Sequence, residues 1–375
     1  MIPKMNIGIT CYPTHGGSGV LATELGKQLA LRGHSVSFIS YSAPLRLVEL
    51  PSRVTFHEVE MTPYPLLKQY PYTLALAAKM VEVATAKEIK ILHVHYAIPF
   101  SPAAILARQM APELNLKVIT TLHGTDTSLV GAAPYFHPVT RFSIEKSDAV
   151  TTVSKYLSKE SIDTFNIKRN ISVIPNFVDL EHYKNKAPKL KKEKTVLHIS
   201  NFRPVKRTLD VIKIFARIAA FVQARLVLVG DGPDLNRALE LARLSGINDR
   251  IELSGVVDNV APYLQNADLL LLPSDSESFG LVALEAMASG VPVVASKVGG
   301  LPEVVPDKKA GFLIQSGNIE EMSLRSIQLL SDEKQHKKFS DEGIKASREF
   351  SCDLIVPRFE KLYRDIITGD NEHVY

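Results

Sequence analysis

The sequence predicts an α/β fold made of two doubly wound parallel-sheet domains that face each other across a cleft. Three observations predict it. Short apolar runs of strand length recur through both halves, helical patterns separate them, and a charged stretch without apolar periodicity divides the halves. Of the 375 residues, 45% are hydrophobic and 22% are charged, which is enough apolar material for two cores.

The first half predicts a parallel sheet covered by helices. It opens with a β-α-β unit, which consists of a strand over residues 6–10, a glycine-rich turn, a helix near residues 20–32 and a strand over residues 36–40. Further apolar runs predict strands over residues 91–95, 117–121 and 149–153.

The second half repeats this alternation, with helices centred near residues 215, 239 and 285. Its strand-like runs lie at residues 195–199, 225–229, 250–253, 269–272, 292–295 and 311–314. The charged segment 175–194, which ends in KNKAPKLKKEK, marks the boundary, so we expect domains at residues 1–175 and 176–354. An amphipathic pattern over residues 355–367 predicts that the C-terminal segment 355–375 packs back on the first domain.

Composition excludes several classes of protein. No run approaches the roughly 18 apolar residues of a membrane span, and the start MIPKMNIGIT lacks the layout of a signal peptide, so we expect a cytoplasmic protein without stable membrane insertion. Cys11 and Cys352 belong to no metal-like or redox-like spacing. A formal charge of +4 is too small to indicate nucleic acid as a partner.

The chain is organised around residues 274–290, SDSESFGLVALEAMASG, which lie between two apolar runs and predict a strand, a turn, a helix and a strand. The helix is apolar on all faces except at Glu285, so we expect a buried carboxylate that needs a polar partner from the protein or from a ligand. Glu277 is expected in the turn. The amides of Phe279, Gly280 and Leu281 leave the helix N-terminus there and favour an anion.

The glycine-rich turn THGGSG, residues 14–19, follows the first strand and opens a helix, so its amides could receive a phosphate. A turn that merely needs glycines is equally consistent with this loop. Its spacing is not the dinucleotide G-x-G-x-x-G pattern, and no acid follows the second strand to hold a ribose. A nicotinamide dehydrogenase is therefore disfavoured.

Three cations, Arg203, Lys206 and Arg207, follow the first strand of the second half and together suggest a polyphosphate ligand. Any one of them alone would suggest only a solvated loop. The turn LVGDGP, residues 228–233, fits a tight turn between a strand and a helix as well as it fits a nucleotide contact.

Four motifs follow one another along the chain: GGSG, these three cations, VGDGP and ESFGLVALE. Their order resembles that in the retaining glycosyltransferases of family 4, which have the GT-B fold of two Rossmann-like domains. The resemblance implies an acceptor-binding N-terminal domain and a C-terminal domain that binds a nucleotide sugar. Glu285 would bind the ribose and Glu277 the donor sugar. The donor would also meet the backbone at five positions: Gly16, Gly17, Phe279, Gly280 and Leu281.

One feature departs from the family pattern G-R-x-x-x-x-K. If the lysine is aligned on Lys206, Ser200 stands at the glycine and Asn201 at the arginine. We expect Arg203 to supply the missing guanidinium, so that Arg203 and Lys206 hold the diphosphate.

Within the family, the segments GITCYPTHGGSG, HVHYAIP, TTLHGTD and SNFRPVKR are similar to enzymes that join UDP-GlcNAc to L-malate in the first step of bacillithiol synthesis. A small dicarboxylate needs a cation and hydroxyl donors, and the candidates are Arg141, Thr121, Tyr96 and Ser18. Ordinary packing at a strand end explains Tyr96 and Thr121 almost as well.

The resemblance also implies the chemistry. Front-face displacement with retention is expected, and the leaving diphosphate takes the proton of the malate hydroxyl while Arg203 and Lys206 stabilise its charge. No metal or other cofactor is expected, and no D-x-D carboxylate pair stands ready for Mg²⁺.

The histidines divide into two groups. His93 and His95 alternate on one strand, but no acid or cysteine cluster completes a metal site, so core or supporting roles are favoured. His123 lies just beyond a strand, where an imidazole can donate to a sugar hydroxyl or stabilise charge, and Asp126 is expected to order its loop.

Two other functions remain open from the sequence. One is a membrane-surface glycosyltransferase with a lipid acceptor, for which Tyr64, Leu66, Leu67, Tyr70 and Tyr72 would meet the interface. The other is a nucleotide-sugar binding protein without turnover. A homo-oligomer is compatible with the sequence, which does not decide the oligomeric state.

Overall fold

The structure is a computed structural model that describes residues 3–14, 16–44, 47, 51–61, 71–128, 131–184 and 193–369. The chain divides into two compact units, Met1–Pro175 together with Ile355–Tyr375, and Asn176–Leu354. Of the predicted membrane-facing residues, Tyr64, Leu66, Leu67 and Tyr70 lie outside the described residues.

In its described residues, the first unit holds a sheet of seven parallel strands. They are β1 (Asn6–Thr10), β2 (Ser35–Ser40), β3 (Val54–Glu58), β4 (Ile91–His95), β5 (Lys117–Leu122), β6 (Ala149–Thr152) and β7 (Ser172–Val173), and their order is β3-β2-β1-β4-β5-β6-β7. The helices are α1 (Gly17–Leu31), α2 (Tyr72–Ala86), α3 (Phe100–Met110), α4 (Thr125–Ser128), α5 (His137–Lys146) and α6 (Lys155–Phe165), with a 3₁₀ turn at Pro112–Leu114.

The second unit opens with α7 (Leu180–Tyr183), and its described residues hold six parallel strands. These are β8 (Lys194–Ile199), β9 (Ala224–Val229), β10 (Ile251–Gly255), β11 (Leu269–Leu272), β12 (Val293–Ser296) and β13 (Gly311–Ile314), in the order β10-β9-β8-β11-β12-β13. The helices are α8 (Thr208–Ala219), α9 (Leu235–Leu244), α10 (Ala261–Leu264), α11 (Leu281–Ala288), α12 (Leu301–Val304), α13 (Ile319–Ser331) and α14 (Glu333–Ser347), with 3₁₀ turns at Pro204–Lys206, Asn248–Arg250 and Arg348–Phe350. A last helix, α15 (Cys352–Thr368), starts at the end of this unit and belongs to the first unit from Ile355 onward.

The predicted fold class is confirmed, and the central strands show why it was readable. Every residue of β4 and of β11 is buried, because helices cover both faces of a parallel sheet and the strand therefore becomes an unbroken apolar run. The sequence missed β3 and β7. The first is an edge strand that is mostly half-exposed and the second has only two residues, so neither carries an apolar run.

Each sheet has one point where the direction of strand addition reverses. It lies between β1 and β4 in the first unit and between β8 and β11 in the second, and both pairs are hydrogen-bonded neighbours. Ligands of open parallel sheets bind beyond the carboxyl ends of the strands at such a point. Each of these four strands is followed by a predicted site feature. The glycine turn follows β1, Tyr96 follows β4, the cation loop with Arg203, Lys206 and Arg207 follows β8, and Glu277 follows β11.

Helix α2 packs its apolar face into the core of the first unit. Tyr72 begins α2, which buries Leu76, Ala77 and Met80 in a core cluster of the first unit. None of the helices in the described part of the chain combines the length and the apolar character that a membrane crossing requires.

The C-terminal helix α15 is bound to the first unit by polar side chains. The Nε2 atom of His34 lies 2.9 Å from the Glu360 carboxylate, and both side chains are buried. The Nδ1 atom of His34 accepts a hydrogen bond from the Met5 amide, so Nε2 carries the proton that Glu360 accepts. Farther along α15, the Tyr363 hydroxyl lies 2.7 Å from Nδ1 of His93.

We expect Glu360→Leu to lower the free energy of unfolding by about 1–3 kcal/mol, because it leaves the Nε2–H of His34 buried without an acceptor. Urea unfolding followed by circular dichroism measures the change. Leu354→Ala on the exposed face of the same helix is the control, and it should stay within about 0.5 kcal/mol of the parent chain. An unchanged midpoint for Glu360→Leu would show that the pair does not hold the helix.

Candidate active site

The carboxylate of Glu285 is buried in α11, with only 5% of the residue exposed, as the apolar helix predicted. The hydroxyl of Tyr183, from α7, donates a hydrogen bond of 2.5 Å to its Oε1 atom. This hydrogen bond offsets part of the free-energy cost of removing the Glu285 carboxylate from water. No pattern in the sequence indicates this partner, because Tyr183 lies 102 positions before Glu285 in a short helix at the domain boundary.

Glu277 lies in the turn between β11 and α11, where the sequence predicted it. Its Oε1 atom accepts hydrogen bonds from Lys206 Nζ at 2.7 Å and from the Ser274 hydroxyl at 2.9 Å. Lys206 ends the 3₁₀ turn after β8, so this ion pair brings together two predicted site residues from neighbouring strands. The carboxylate is thereby oriented before any ligand arrives.

Two glycines behind this turn fix its backbone. The amide of Gly300 donates to the carbonyl of Glu277 at 2.8 Å, and a Cβ atom on Gly299 would lie 1.9 Å from the same carbonyl oxygen. Gly299 also has φ +55°. No larger residue fits there, so the chain can approach the back of Glu277 only through glycine.

The helix N-terminus itself is also built on glycine. Gly280 precedes α11 with φ +97°, and no side chain caps the helix. Phe279 is buried against Phe350, with ring centroids 5.7 Å apart, and Leu281 is half-buried. The first amides of α11 thus have no side-chain cap, and the anion site expected there stays a prediction.

The three cations of the loop after β8 have different surroundings. Arg207 donates to Asp210 at 2.6 Å and to Asp275 at 3.0 Å, so its charge is already neutralised within the protein. Arg203 is half-buried and has no hydrogen bond or ion pair with any residue that the structure describes. Lys206 is paired with Glu277, so Arg203 alone of the three cations lacks a partner among the described residues, and their binding of a polyphosphate stays a prediction.

Ser200, which departs from the family pattern, holds the base of this loop. Nδ1 of His198 lies 2.9 Å from the Leu271 carbonyl and donates to it, so Nε2 accepts from the Ser200 hydroxyl at 2.9 Å. Burial lowers the pKa of His198 to about 4, which fits this neutral form. The Ser200 oxygen then accepts from the amide of Phe202 at 3.2 Å, one residue before Arg203.

The glycines of LVGDGP have a packing role. A Cβ atom on Gly230 would lie 1.8 Å from the carbonyl oxygen of Ser200, and one on Gly232 would lie 2.0 Å from that of Asn201. The turn after β9 therefore presses against the backbone of the cation loop. This observation favours the tight-turn interpretation of the motif.

In the first unit, helix α1 begins at Gly17, three residues before the predicted start. The boundary prediction was wrong because the glycines themselves form the first turn, with Gly16 in extended conformation at the N-cap. Gly16 and Gly17 are exposed, Ser18 is half-buried, and no side chain caps the helix. A Cβ atom on Gly19 would lie 2.5 Å from the Tyr12 carbonyl oxygen, so this glycine is required by close packing.

Asp126 orders the loop that carries His123, as expected. Its Oδ1 atom accepts from the amides of His123 at 3.0 Å and Gly124 at 2.9 Å, and Oδ2 accepts from the Ala97 amide at 3.2 Å. Burial raises the pKa of Asp126 to about 6, although these amide bonds oppose the rise. Burial also lowers the pKa of His123 to about 3, so its imidazole is neutral near pH 7.

The predicted acceptor residues are not all available to a ligand. Thr121 is buried, and its hydroxyl lies 2.7 Å from Nε2 of His93 and 2.6 Å from the hydroxyl of Thr151, which favours the packing interpretation. Tyr96 is half-buried with its ring centroid 5.4 Å from that of His123, so these two residues come together. Arg141 is exposed on α5.

Within the described residues, no group of three or more histidine, cysteine or acidic side chains could hold a metal ion. His93 and His95 are buried in the first unit and bind other side chains of that unit.

Comparison with known proteins identifies the family. The family described as Glycosyltransferase Family 4 matches residues 15–182, and the family described as Glycosyl transferases group 1 matches residues 179–346. N-acetyl-alpha-D-glucosaminyl L-malate synthase of Bacillus anthracis is 45% identical over 98% of each chain. The chain belongs to the family 4 glycosyltransferases. An uncharacterized glycosyltransferase of Methanocaldococcus jannaschii is 28% identical over 98% of this chain and 99% of its own.

Solved structures of glycosyltransferases share the GT-B fold of this family 4 enzyme. Anabaena HepE in complex with UDP and glucose superposes with a TM-score of 0.81 at 20% identity, over 96% of this chain and 100% of its own. Sucrose-phosphate synthase from Thermosynechococcus elongatus gives a TM-score of 0.79 at 21% identity, over 98% and 100%. The predicted fold is thereby confirmed.

We expect Ser200→Ala in this glycosyltransferase to cost about 1–3 kcal/mol of stability, because Nε2 of His198 loses its hydroxyl donor and the Phe202 amide loses its side-chain acceptor. Thermal unfolding followed by circular dichroism measures the loss. Asn201→Ala, at the exposed neighbouring position, should leave the unfolding midpoint unchanged. Equal midpoints for the two variants would contradict the role given to Ser200.

Proposed function

We propose that this family 4 glycosyltransferase moves GlcNAc from UDP-GlcNAc to the hydroxyl of L-malate with retention, giving GlcNAc-malate and UDP in the first step of bacillithiol synthesis. The observation that carries the proposal is the 45% identity, over nearly the whole of both chains, with the Bacillus anthracis L-malate synthase. The reaction takes place in the cytoplasm in this proposal, in keeping with the sequence expectation.

In this proposal the second unit binds the nucleotide sugar. Glu285 accepts from the ribose hydroxyls while Tyr183 holds its carboxylate on the other side. Glu277 accepts from hydroxyls of the donor sugar, and its pairing with Lys206 supports this role because the carboxylate needs no reorganisation on binding. The first amides of α11 meet donor oxygens.

The bond changes follow a front-face displacement. The bond between the anomeric carbon and the diphosphate oxygen breaks, a bond to the malate hydroxyl oxygen forms on the same face, and the hydroxyl proton passes to the leaving diphosphate. Arg203 and Lys206 stabilise the charge that develops on that leaving group. Because two side-chain cations stabilise the leaving diphosphate, the proposed reaction uses no metal ion.

The first unit supplies the acceptor side in this proposal. Ser18 and Tyr96 offer hydroxyls to the acceptor, and Arg141 supplies the cation for a malate carboxylate, whereas the amides of Gly16 and Gly17 meet the donor. His123 is neutral, so it serves as a hydrogen-bond donor to the sugar and not as an acid.

We expect UDP release from UDP-GlcNAc to require L-malate in a panel of hydroxy acids, sugars and inositol phosphate, and to be unchanged by EDTA. Coupled detection of UDP measures the rate. Turnover with another acceptor and none with malate would refute the acceptor and leave the family assignment intact. The absence of any turnover would favour a nucleotide-sugar binding protein, and loss of the rate with EDTA, restored by Mg²⁺, would refute the metal-free scheme.

We expect two substitutions to separate the donor and acceptor sides. Glu285→Gln should weaken UDP binding about tenfold or more, because an amide cannot replace a charged acceptor, while the KM for malate is unchanged. Arg141→Ala should raise the KM for malate about tenfold or more, with UDP binding unchanged. Each variant is the control for the other in calorimetry and steady-state kinetics. Unchanged UDP affinity in Glu285→Gln would remove this residue from the ribose.

A further inference from the structure

Two histidine rings meet at the carboxyl ends of neighbouring strands in the first unit. His95 ends β4, His123 follows β5, and these strands pair with His95 opposite Thr121. The Nδ1 atom of His95 lies 3.0 Å from the Nε2 atom of His123. A bond of this kind needs one ring to donate and the other to accept.

Both rings are neutral near pH 7, because burial holds the pKa of His95 well below its ordinary value and that of His123 at about 3. Each ring therefore carries a single N–H group, and only one of the two facing nitrogens can bear it. The position of that hydrogen decides which nitrogen of His123 is a donor and which is an acceptor.

The far side of His95 distinguishes the two arrangements. Its Nε2 atom is fully buried and has no hydrogen-bond partner among the described residues. If that nitrogen carried the hydrogen, an N–H donor would be buried unsatisfied, and such donors are rarer in proteins than unsatisfied acceptors. The hydrogen of His95 therefore belongs on Nδ1, which faces His123.

We propose that His95 is a positioning residue that donates from Nδ1 to the Nε2 atom of His123, so that His123 presents an Nδ1–H donor to the active site. His123 keeps 8% of its surface exposed, and its Nδ1 atom makes no hydrogen bond to any residue that the structure describes. That N–H is free to meet an oxygen of the transferring sugar or of the acceptor. This use of the donor rests on the proposed function, whereas the tautomer does not.

His93 provides a contrast within the same cluster. Both of its ring nitrogens have partners, the Tyr363 hydroxyl at Nδ1 and the Thr121 hydroxyl at Nε2, each 2.7 Å away. Hydroxyl groups rotate and can donate or accept, so these partners do not select one tautomer. The substitution Tyr363→Phe therefore disturbs the buried cluster without touching the His95–His123 bond.

The tautomer is measured by long-range ¹H–¹⁵N correlation spectra of the full chain labelled with ¹⁵N-histidine. The chain has 11 histidines, and the signals of His123 are assigned as those lost in His123→Asn. We expect a protonated Nδ1 and a bare Nε2 on His123 near pH 7. A protonated Nε2 on His123 would overturn the proposal, whatever the enzyme's activity.

Two substitutions of His95 test the donor itself. His95→Asn keeps an amide N–H close to the position of Nδ1, so the tautomer of His123 should be retained. His95→Leu removes the donor, and the His123 signals should shift towards the Nε2–H form. Tyr363→Phe should leave them unchanged. Loss of the Nδ1–H form in His95→Asn would overturn the proposal even if the leucine variant fails to fold.

Steady-state kinetics test whether the tautomer of His123 affects GlcNAc transfer. His95→Leu should lower kcat for GlcNAc transfer between about threefold and about tenfold, which is the range expected for one oriented hydrogen bond, while His95→Asn stays within about twofold of the parent. An equal loss of kcat in Tyr363→Phe would refute positioning and point to packing. If the parent chain transfers nothing to malate, the proposed function fails, and the spectra still decide the tautomer.

Discussion

The ion pair between Lys206 and Glu277 joins the two loops on which the second unit's site depends. One loop follows β8 and the other follows β11, and the pair is 2.7 Å long. The backbones behind it can come close enough only because glycines stand at four contact points, Gly230 and Gly232 against the cation loop and Gly299 and Gly300 against the turn. A side chain at any of these positions would push a loop outward and separate the charges. The ion pair therefore depends on the close backbone packing that the glycines allow.

The sequence predicted the strands well wherever a strand is buried on both faces, because such a strand must be an apolar run. It predicted burial of Glu285 for the same reason, since a helix that is apolar all round has no exposed face. It could not predict Tyr183 as the partner of that acid, because a contact across 102 positions depends on how α7 packs on α11. Arg207 shows a further limit: its residue type suggested a phosphate ligand, but residue type could not predict its hydrogen bonds to Asp210 and Asp275.

The histidines of the first unit could be interpreted only in part from their spacing. Alternation on a strand predicts that His93 and His95 share a face. Their partners, however, depend on the strand order that places β5 beside β4 and on the return of α15, which brings Tyr363 to His93. Neither can be derived from local sequence. The hydroxyl of Thr121 depends on the same strand order, and its contacts with His93 and Thr151 favour packing over a role in acceptor binding.

The two units treat charge in opposite ways at their strand ends. The second unit exposes or half-buries its cations and gives its acids hydroxyl or ammonium partners, so charge is retained where a diphosphate would leave. The first unit buries the imidazoles of His93, His95 and His123, which have no carboxylate among their hydrogen-bond partners in the described residues. The carboxylate of Asp126 accepts instead from backbone amides. Burial then lowers the pKa of each of the three histidines, and a neutral ring can act only through the placement of a single hydrogen. In the proposed reaction, recognition by these side chains therefore depends on tautomers and hydroxyl directions, which buried neighbours such as His95 would control.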